Sequence, residues 1–259
     1  MTLAFEETAR ALRVRIDAHE RYSTLKLEEV LARRLEGLAL RRVLDGGCGS
    51  GNFLSLLAAH SSIASVGMDR SRELLNEASI RCREESQSRV TFVRADMDQA
   101  LPFGIGRFDL AFFAYSAYYT DRADRLLGEI ARVLATDGQV LLIGPGQGNA
   151  AEIDVLSEQI FGLSASRAKS IRVRRLEDEF LPLLRSYWRD PTFDLLDCSL
   201  VFPDVASYAE YYRATPQFAE LTASRGVPAD HLVEATIERL REPRVTKRVV
   251  VLQATRPRL

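Results

Sequence analysis

Apolar and polar positions follow two rhythms along this chain. From Phe5 to Leu38 the spacing is helical. Leu12, Ile16 and His19 share one stripe, and Leu27, Val30, Leu31 and Leu35 repeat it after Thr24, which reads as an N-cap. Beyond residue 41 short apolar runs take over. RRVLDGGCGSGNF (41–53) reads as a buried strand, a glycine loop and the start of a helix continuing through FLSLLAAH (53–60). Strands are predicted at 63–69, 90–96, 108–116 and 138–146, with helices at 71–85, capped by Ser71, and at 121–135. Strands this apolar are covered on both faces, and their alternation with helices predicts a parallel sheet. After Gly148 the pattern loosens. Helices are expected at 150–164, 173–188 and within 204–241, a strand at 193–202, and a last strand at 247–256. The expected organisation is an N-terminal helical cap (1–40) on one α/β domain (41–259), with helical insertions at about 147–192 and 203–244.

Composition narrows the function classes. The chain has 259 residues, enough for a core that needs no metal or disulfide staple. Its net charge of -1 gives no global pull toward nucleic acid or an anionic membrane. Cys48, Cys82 and Cys198 lie far apart, without CxxC or Cys/His ligand spacing, so no metal site is expected. The first twenty residues have no apolar core long enough for a signal peptide and the apolar runs are too short to cross a bilayer, so a soluble cytoplasmic protein is the expectation. The 35 basic residues comprise 32 Arg and 3 Lys, a bias to which no function attaches at this level.

The chemistry concentrates in VLDGGCGSG (43–51), an Asp-x-Gly-x-Gly-x-Gly loop after a strand. Asn52 stands where the third glycine of a dinucleotide fingerprint falls. Asp45 at a strand's carboxyl end repels a pyrophosphate and favours an ammonium or sulfonium, while loop amides and a helix N-terminus can hold a carboxylate. Asp69 closes the next strand, where a carboxylate can accept from both hydroxyls of a ribose, although a helix-capping role is equally compatible with its position before Ser71. Asp96, followed by Met97, closes the third.

With these segments in register with FDLAFFAYSAYYT and RVLATDGQVLLIGPG, residues 41–146 resemble the class I S-adenosylmethionine-dependent methyltransferases. The resemblance implies a Rossmann-like seven-stranded sheet, order 3-2-1-4-5-7-6, with an antiparallel seventh strand. It implies S-adenosyl-L-methionine as cofactor and S-adenosyl-L-homocysteine as product. It places the methionine portion on Asp45, Gly47, Gly49 and Gly51, the ribose on Asp69 beside Arg70, and the adenine on Asp96 and Met97. Tyr115 borders the transferable methyl.

The acceptor is less legible. The segment after the fourth strand lacks the Asn/Asp-Pro-Pro-aromatic signature of base methylation, and it offers no carboxylate for a metal. A small-molecule acceptor is therefore expected, in a natural-product or sugar pathway, without a membrane partner. Nucleic acid is disfavoured, and homo-oligomerisation is compatible. His19, Tyr22 and Tyr118 are the candidate catalytic groups, His19 because its ordinary pKa lies near neutrality. Tyr119, Trp188, Tyr208, Tyr211 and Tyr212 are candidate pocket residues. The last three share a helix face, for which plain packing is the favoured reading. His60 and His231 read as structural, His231 after an N-cap at Asp230. The basic run Arg239, Arg241, Arg244, Lys247, Arg248, Arg256 and Arg258 reads as a solvated face, and is the one feature favouring an RNA or protein acceptor. A non-catalytic cofactor-binding subunit is the other alternative.

Overall fold

The apolar runs assemble into a single seven-stranded sheet. Its strands are β1 (Arg42–Gly46), β2 (Ala64–Asp69), β3 (Val90–Arg94), β4 (Phe108–Ala114), β5 (Leu134–Pro145), β6 (Arg189–Val201) and β7 (Arg244–Thr255), in the order β3-β2-β1-β4-β5-β7-β6. All pairs are parallel except those made by β7, which runs antiparallel to β5 and β6. The expected fold class and order are thus observed. The computed structural model describes residues 8–54, 63–84, 89–162, 171–240 and 242–257. Of the helix expected through 53–60, residues 52–54 are helical and the rest, with His60, lies outside the described residues.

The helices are α1 (Ala9–Tyr22), α2 (Leu27–Leu35), α3 (Arg72–Glu84), α4 (Ala123–Val133), α5 (Ala151–Phe161), α6 (Leu181–Tyr187), α7 (Val205–Arg213), α8 (Pro216–Arg225) and α9 (Asp230–Glu238). A π-helical turn, Leu176–Phe180, leads into α6. Strand alternation divides the core. Leu142, Val250 and Leu252 face α4 and the π turn, where they meet Ile130, Leu176 and Phe180. Leu141, Ile143, Val249 and Val251 face the opposite side, with Leu31 of α2. A third cluster joins α1, α5 and the inserted helices through Ala18, Leu156, Tyr208, Tyr212, Phe218 and Val233. Among the described residues no helix is long and apolar enough to cross a membrane.

The last two strands position the site. Because β6 runs parallel to β5, it begins at the sheet's amino rim. β5 ends at the Pro145–Val249 pair, yet β6 and β7 continue through five more pairs, Asp197–Arg248 to Val201–Arg244. This two-stranded ribbon stands above the carboxyl rim, and α7, α8 and α9 are inserted at its tip. The turn after α1 ties onto its outer edge. Ser23 bridges Leu200, the Thr24 amide donates to Ser199 O (2.9 Å), and the Ser199 amide donates to Thr24 Oγ1 (3.0 Å). Thr24 is therefore no N-cap, since its hydroxyl serves β6, and Lys26 occupies the cap position of α2. Asp230 is likewise the first residue of α9, with Ala229 before it as cap. At the amino rim β6 starts four residues earlier than its apolar run. Asp190 takes φ 51, Pro191 follows, and the register against β7 shifts between Arg189 and Thr192. An edge strand tolerates such a proline-bearing bulge because its outer N–H groups have no ladder partner.

Candidate functional site

The glycine loop is built by close approaches. A Cβ on Gly46 would lie 2.1 Å from the Phe113 ring, and one on Gly47, at φ +71, 2.4 Å from Ser116 Cβ. Only glycine fits both. The Gly47 and Cys48 amides donate to Met68 O (2.7 and 3.0 Å), and Ser116 Oγ donates to Gly46 O (2.6 Å), so the loop is clamped between β2 and the segment after β4. Asp69 completes the clamp. Its Oδ2 accepts from the Gly49 amide (3.0 Å) and its Oδ1 from the Ser71 amide (2.8 Å). The two readings of Asp69 therefore describe one residue, which steadies the start of α3 and still lines the cavity.

That cavity, about 830 Å³, lies along the carboxyl rim under α1, α5 and the inserted helices. Gly47, Gly49, Asp69, Arg70, Asp96, Met97 and Tyr115 all line it. So do His19 and Tyr118 of the candidate catalytic groups, and Tyr119 and Tyr211 of the candidate pocket residues. Asp96 Oδ1 accepts from the Asp98 amide (3.0 Å), which turns the chain after β3. Asp98 in turn accepts from Thr120 Oγ1 and from the Asp121 amide (2.9 Å), holding the Tyr118–Tyr119 turn against the end of β3. From the other side buried Arg175 donates to the carbonyls of Tyr118 (3.2 Å) and Thr120.

Several candidates sit elsewhere. Asp45 and Gly51 do not reach the wall. Asp45 is held in β1 between Gly67 and Phe112, 1% exposed, with Oδ2 lacking a hydrogen-bond partner. Burial, and secondarily the Asp69 charge, push its carboxyl up to about 8. Gly51, at φ +82, packs the loop against Ala78 of α3. Trp188 is at the wrong end of the sheet. It precedes β6 and so lies at the amino rim, in a separate hollow with Leu127, Leu183 and Arg256. Tyr22 packs on Phe202 (ring centroids 5.3 Å apart), and Tyr208 stacks on the same ring (4.9 Å, 3°). Tyr212 exchanges a 3.0 Å hydrogen bond with Ser157. Tyr208 and Tyr212 belong to the cap core, as the packing reading of their helix face has it, and Tyr211 alone of that trio reaches the cavity; Tyr22, expected among the catalytic groups, packs on the same core and does not line the cavity.

Charge states also differ from expectation. Burial, then Lys247 and Arg15, hold His19 well below its ordinary value, so it is neutral at pH 7. Burial raises the phenols of Tyr115 and Tyr118 and the thiol of Cys48, which all stay protonated as donors. Tyr115 sits at φ 53, uncommon for a bulky residue, with its amide donating to Ile143 O (2.7 Å).

The wall also contains residues that motif reading passed over, among them Lys247, Gln217 and Arg172. The basic run near the end is not one solvated face. Lys247 is 8% exposed, on the same pleat face as buried Val245 and Val249, and strand alternation was the signal for it. Arg241 and Arg258 lie outside the described residues.

Comparison with known proteins finds methyltransferases similar to this chain. Residues 43–138 match the family model described as a methyltransferase domain. A malonyl-[acyl-carrier protein] O-methyltransferase of Legionella pneumophila is 33% identical over 148 residues, 54% of this chain and 50% of that protein. Methyltransferase GfsG of Streptomyces halstedii is 33% identical over 118 residues, 45% of this chain and 42% of that one. The chain spans about half the length of the curated relatives it matches. The crystal structure of the Bacillus subtilis YcgJ protein superposes with a TM-score of 0.61 at 16% identity, over 90% of this chain and 98% of that one, a likeness of fold.

Proposed function

We propose that this chain is a class I S-adenosylmethionine-dependent methyltransferase that methylates an oxygen or nitrogen of a small molecule enclosed between α1 and the inserted helices. The observation that carries this reading is the single cavity joining the glycine loop to a helix-covered chamber. A covered chamber suits a small acceptor of the natural-product or sugar kind, where an open face suits a macromolecule. The O-methyltransferase among the relatives adds weight to oxygen.

The residues present fit the cofactor. The Gly47 and Gly49 turn presents backbone to the cavity, Asp69 and Asp96 line it, and a buried Asp45 oxygen without a partner lies behind the loop. On this reading the loop holds the methionine carboxylate, Asp69 the ribose hydroxyls, and Asp96 with Met97 the adenine. Asp45 acts through the field of its charge, which a bound cation stabilises. When bound, S-adenosylmethionine supplies an electrophilic methyl group, and its loss leaves S-adenosylhomocysteine.

The chain's own task is then placement and exclusion of water. Tyr115, Tyr118 and Tyr119 wall the region between loop and chamber, and the protonated phenols of Tyr115 and Tyr118 orient an acceptor by donating to it. His19, neutral and half-buried, accepts a hydrogen bond from an acceptor hydroxyl but is too weak a base to carry the rate by itself. Proximity is left as the main contribution, worth up to about 7–11 kcal/mol in model reactions.

Calorimetry with S-adenosylhomocysteine tests the reading. Wild type is expected to bind, and Asp69→Ala to weaken binding at least tenfold. A wild type that binds neither S-adenosylmethionine nor its product overturns it.

A further inference from the structure

The far end of the cavity carries buried cations, whereas the near end mixes aspartates with exposed arginines, Arg70, Arg72 and Arg94. Asp69, Asp96 and Asp98 cluster where β2 and β3 end. Lys247 lies on β7, four strands from β2 in the sheet, roughly 19 Å away at about 4.8 Å per strand. The acids that also line the cavity near α1 and α2, Glu20 and Glu28, are solvent-exposed. The cations at the far end are not. Arg172 is 7% exposed and paired with Glu220 (2.7 Å), and Lys247 is 8% exposed.

Lys247 is the unusual one. Among the described residues no carboxylate lies within ion-pair distance of its Nζ, whose one hydrogen bond goes to Tyr211 Oη at 3.3 Å. A buried ammonium with a single neutral acceptor is costly unless something anionic completes its shell. Gln217, on α8 at the same cavity, is 3% exposed, and neither its amide nitrogen nor its amide oxygen has a partner. Buried amides are ordinarily satisfied, so an orphaned one at a cavity wall marks a place where a polar ligand belongs. The imidazole of His19, 6.4 Å from the Tyr211 ring, is kept uncharged at the same wall and brings no positive charge that a carboxylate of the protein must offset.

We propose that this wall is an anion pocket, in which Lys247, Tyr211 and Gln217 receive a carboxylate or phosphate group of the acceptor. The proposal rests on the methyl-transfer reading and names its substrate class, an acceptor with an anionic handle distal to the methylated atom. The handle docks on Lys247 from the side remote from the aspartates, so the rest of the acceptor is directed toward the glycine loop. Lys247 thereby sets the orientation, since at the near end three carboxylates share the wall with Arg70, Arg72 and Arg94, cations that are exposed to water.

The test is calorimetry on the full chain, with and without saturating S-adenosylhomocysteine, titrating sodium phosphate and, separately, sodium succinate at low ionic strength. One saturable site is expected for at least one anion, and the tighter of the two identifies the handle as phosphate or carboxylate. Lys247→Met is expected to weaken it tenfold or more, Gln217→Leu about two- to fivefold, and Lys247→Arg to retain it, with S-adenosylhomocysteine affinity unchanged in all three. A measurement on wild type needs no variant. Bound anion should slow acetylation of Lys247, read by mass spectrometry, and leave exposed Lys26 unaffected. Binding of neither anion, equal binding by Lys247→Met, or equal acetylation with and without anion overturns the proposal. Anion binding through Lys247 in a chain that does not bind S-adenosylhomocysteine keeps the pocket and removes the methyltransferase reading instead.

Discussion

Asp45→Asn should stabilise the ligand-free protein, increasingly so as pH rises. Asp45 is fully buried, one of its oxygens has no partner, and its carboxyl is pushed from 3.8 up to about 8, first by burial and then by Asp69. In the unfolded chain it ionises near 3.8. Between those values the folded state holds a proton that the unfolded state has released, so stability falls as pH rises through the window and levels off above about 8. Each pH unit inside the window costs about 1.4 kcal/mol. The loss between pH 5 and pH 7 attributable to Asp45 is therefore about 3 kcal/mol. Asparagine has nearly the same shape and does not titrate. Whatever its unsatisfied amide costs is the same at both pH values and cancels from the difference. Urea denaturation of wild type and variant at pH 5, 6 and 7 reads the quantity directly. The advantage of the variant should widen by about 3 kcal/mol across that range, at equal denaturant slopes. Parallel pH profiles would refute the assignment of a raised carboxyl to this position. The same variant should bind S-adenosylmethionine at least tenfold more weakly, since the buried charge that favours a cation is gone.

Two further contrasts follow from buried polar groups. Tyr208 and Tyr212 are both wholly buried in the cap core, but the Tyr208 hydroxyl has no partner while Tyr212 bonds Ser157. Tyr208→Phe should be neutral or stabilising by up to about 1 kcal/mol, and Tyr212→Phe destabilising by about 1 kcal/mol; equal costs in denaturation would contradict the hydrogen-bond pattern. Arg175→Met removes the guanidinium that holds the Tyr118 and Thr120 carbonyls, and should cost about 2–4 kcal/mol. Its functional signature is a raised acceptor KM with S-adenosylhomocysteine affinity preserved, because the turn carrying Tyr118 and Tyr119 loosens while the glycine loop does not.

The half of the site nearest the glycine loop was legible because local chemistry dictates it. A strand, a turn that only glycine can make, and aspartates at successive strand ends occur in one short stretch, and each is positioned by its own element. The acceptor half was not, because strand direction and pleat decide which residues reach it. Trp188 looked like a pocket aromatic, but β6 runs parallel to β5 and carries whatever precedes it to the opposite rim. Lys247 looked like one charge in a basic run, but alternation with Val245 and Val249 turns it inward. Thr24 and Asp230 have the chemistry of N-caps, and in each case the helix starts at a different place because the chain pairs or turns there first. The glycine loop's electrostatics were only half right. A carboxylate was expected on the wall, whereas the β1 register buries Asp45 behind it, where its charge is conditional on what binds.

The outer edge of β6 has a consequence for association between copies. At one end the left-handed Asp190, Pro191 and the register shift bend the strand out of line, and at the other Ser23 and Thr24 already occupy its free amides and carbonyls. Along the remaining stretch Asp194 pairs with Arg34 and Asp197 with Arg248 (3.0 Å), and charged side chains of this kind blunt an edge. Recruitment of an eighth strand from a second molecule is blocked at both ends of this border. Fibril-like growth from this side of the sheet is therefore disfavoured in the folded protein.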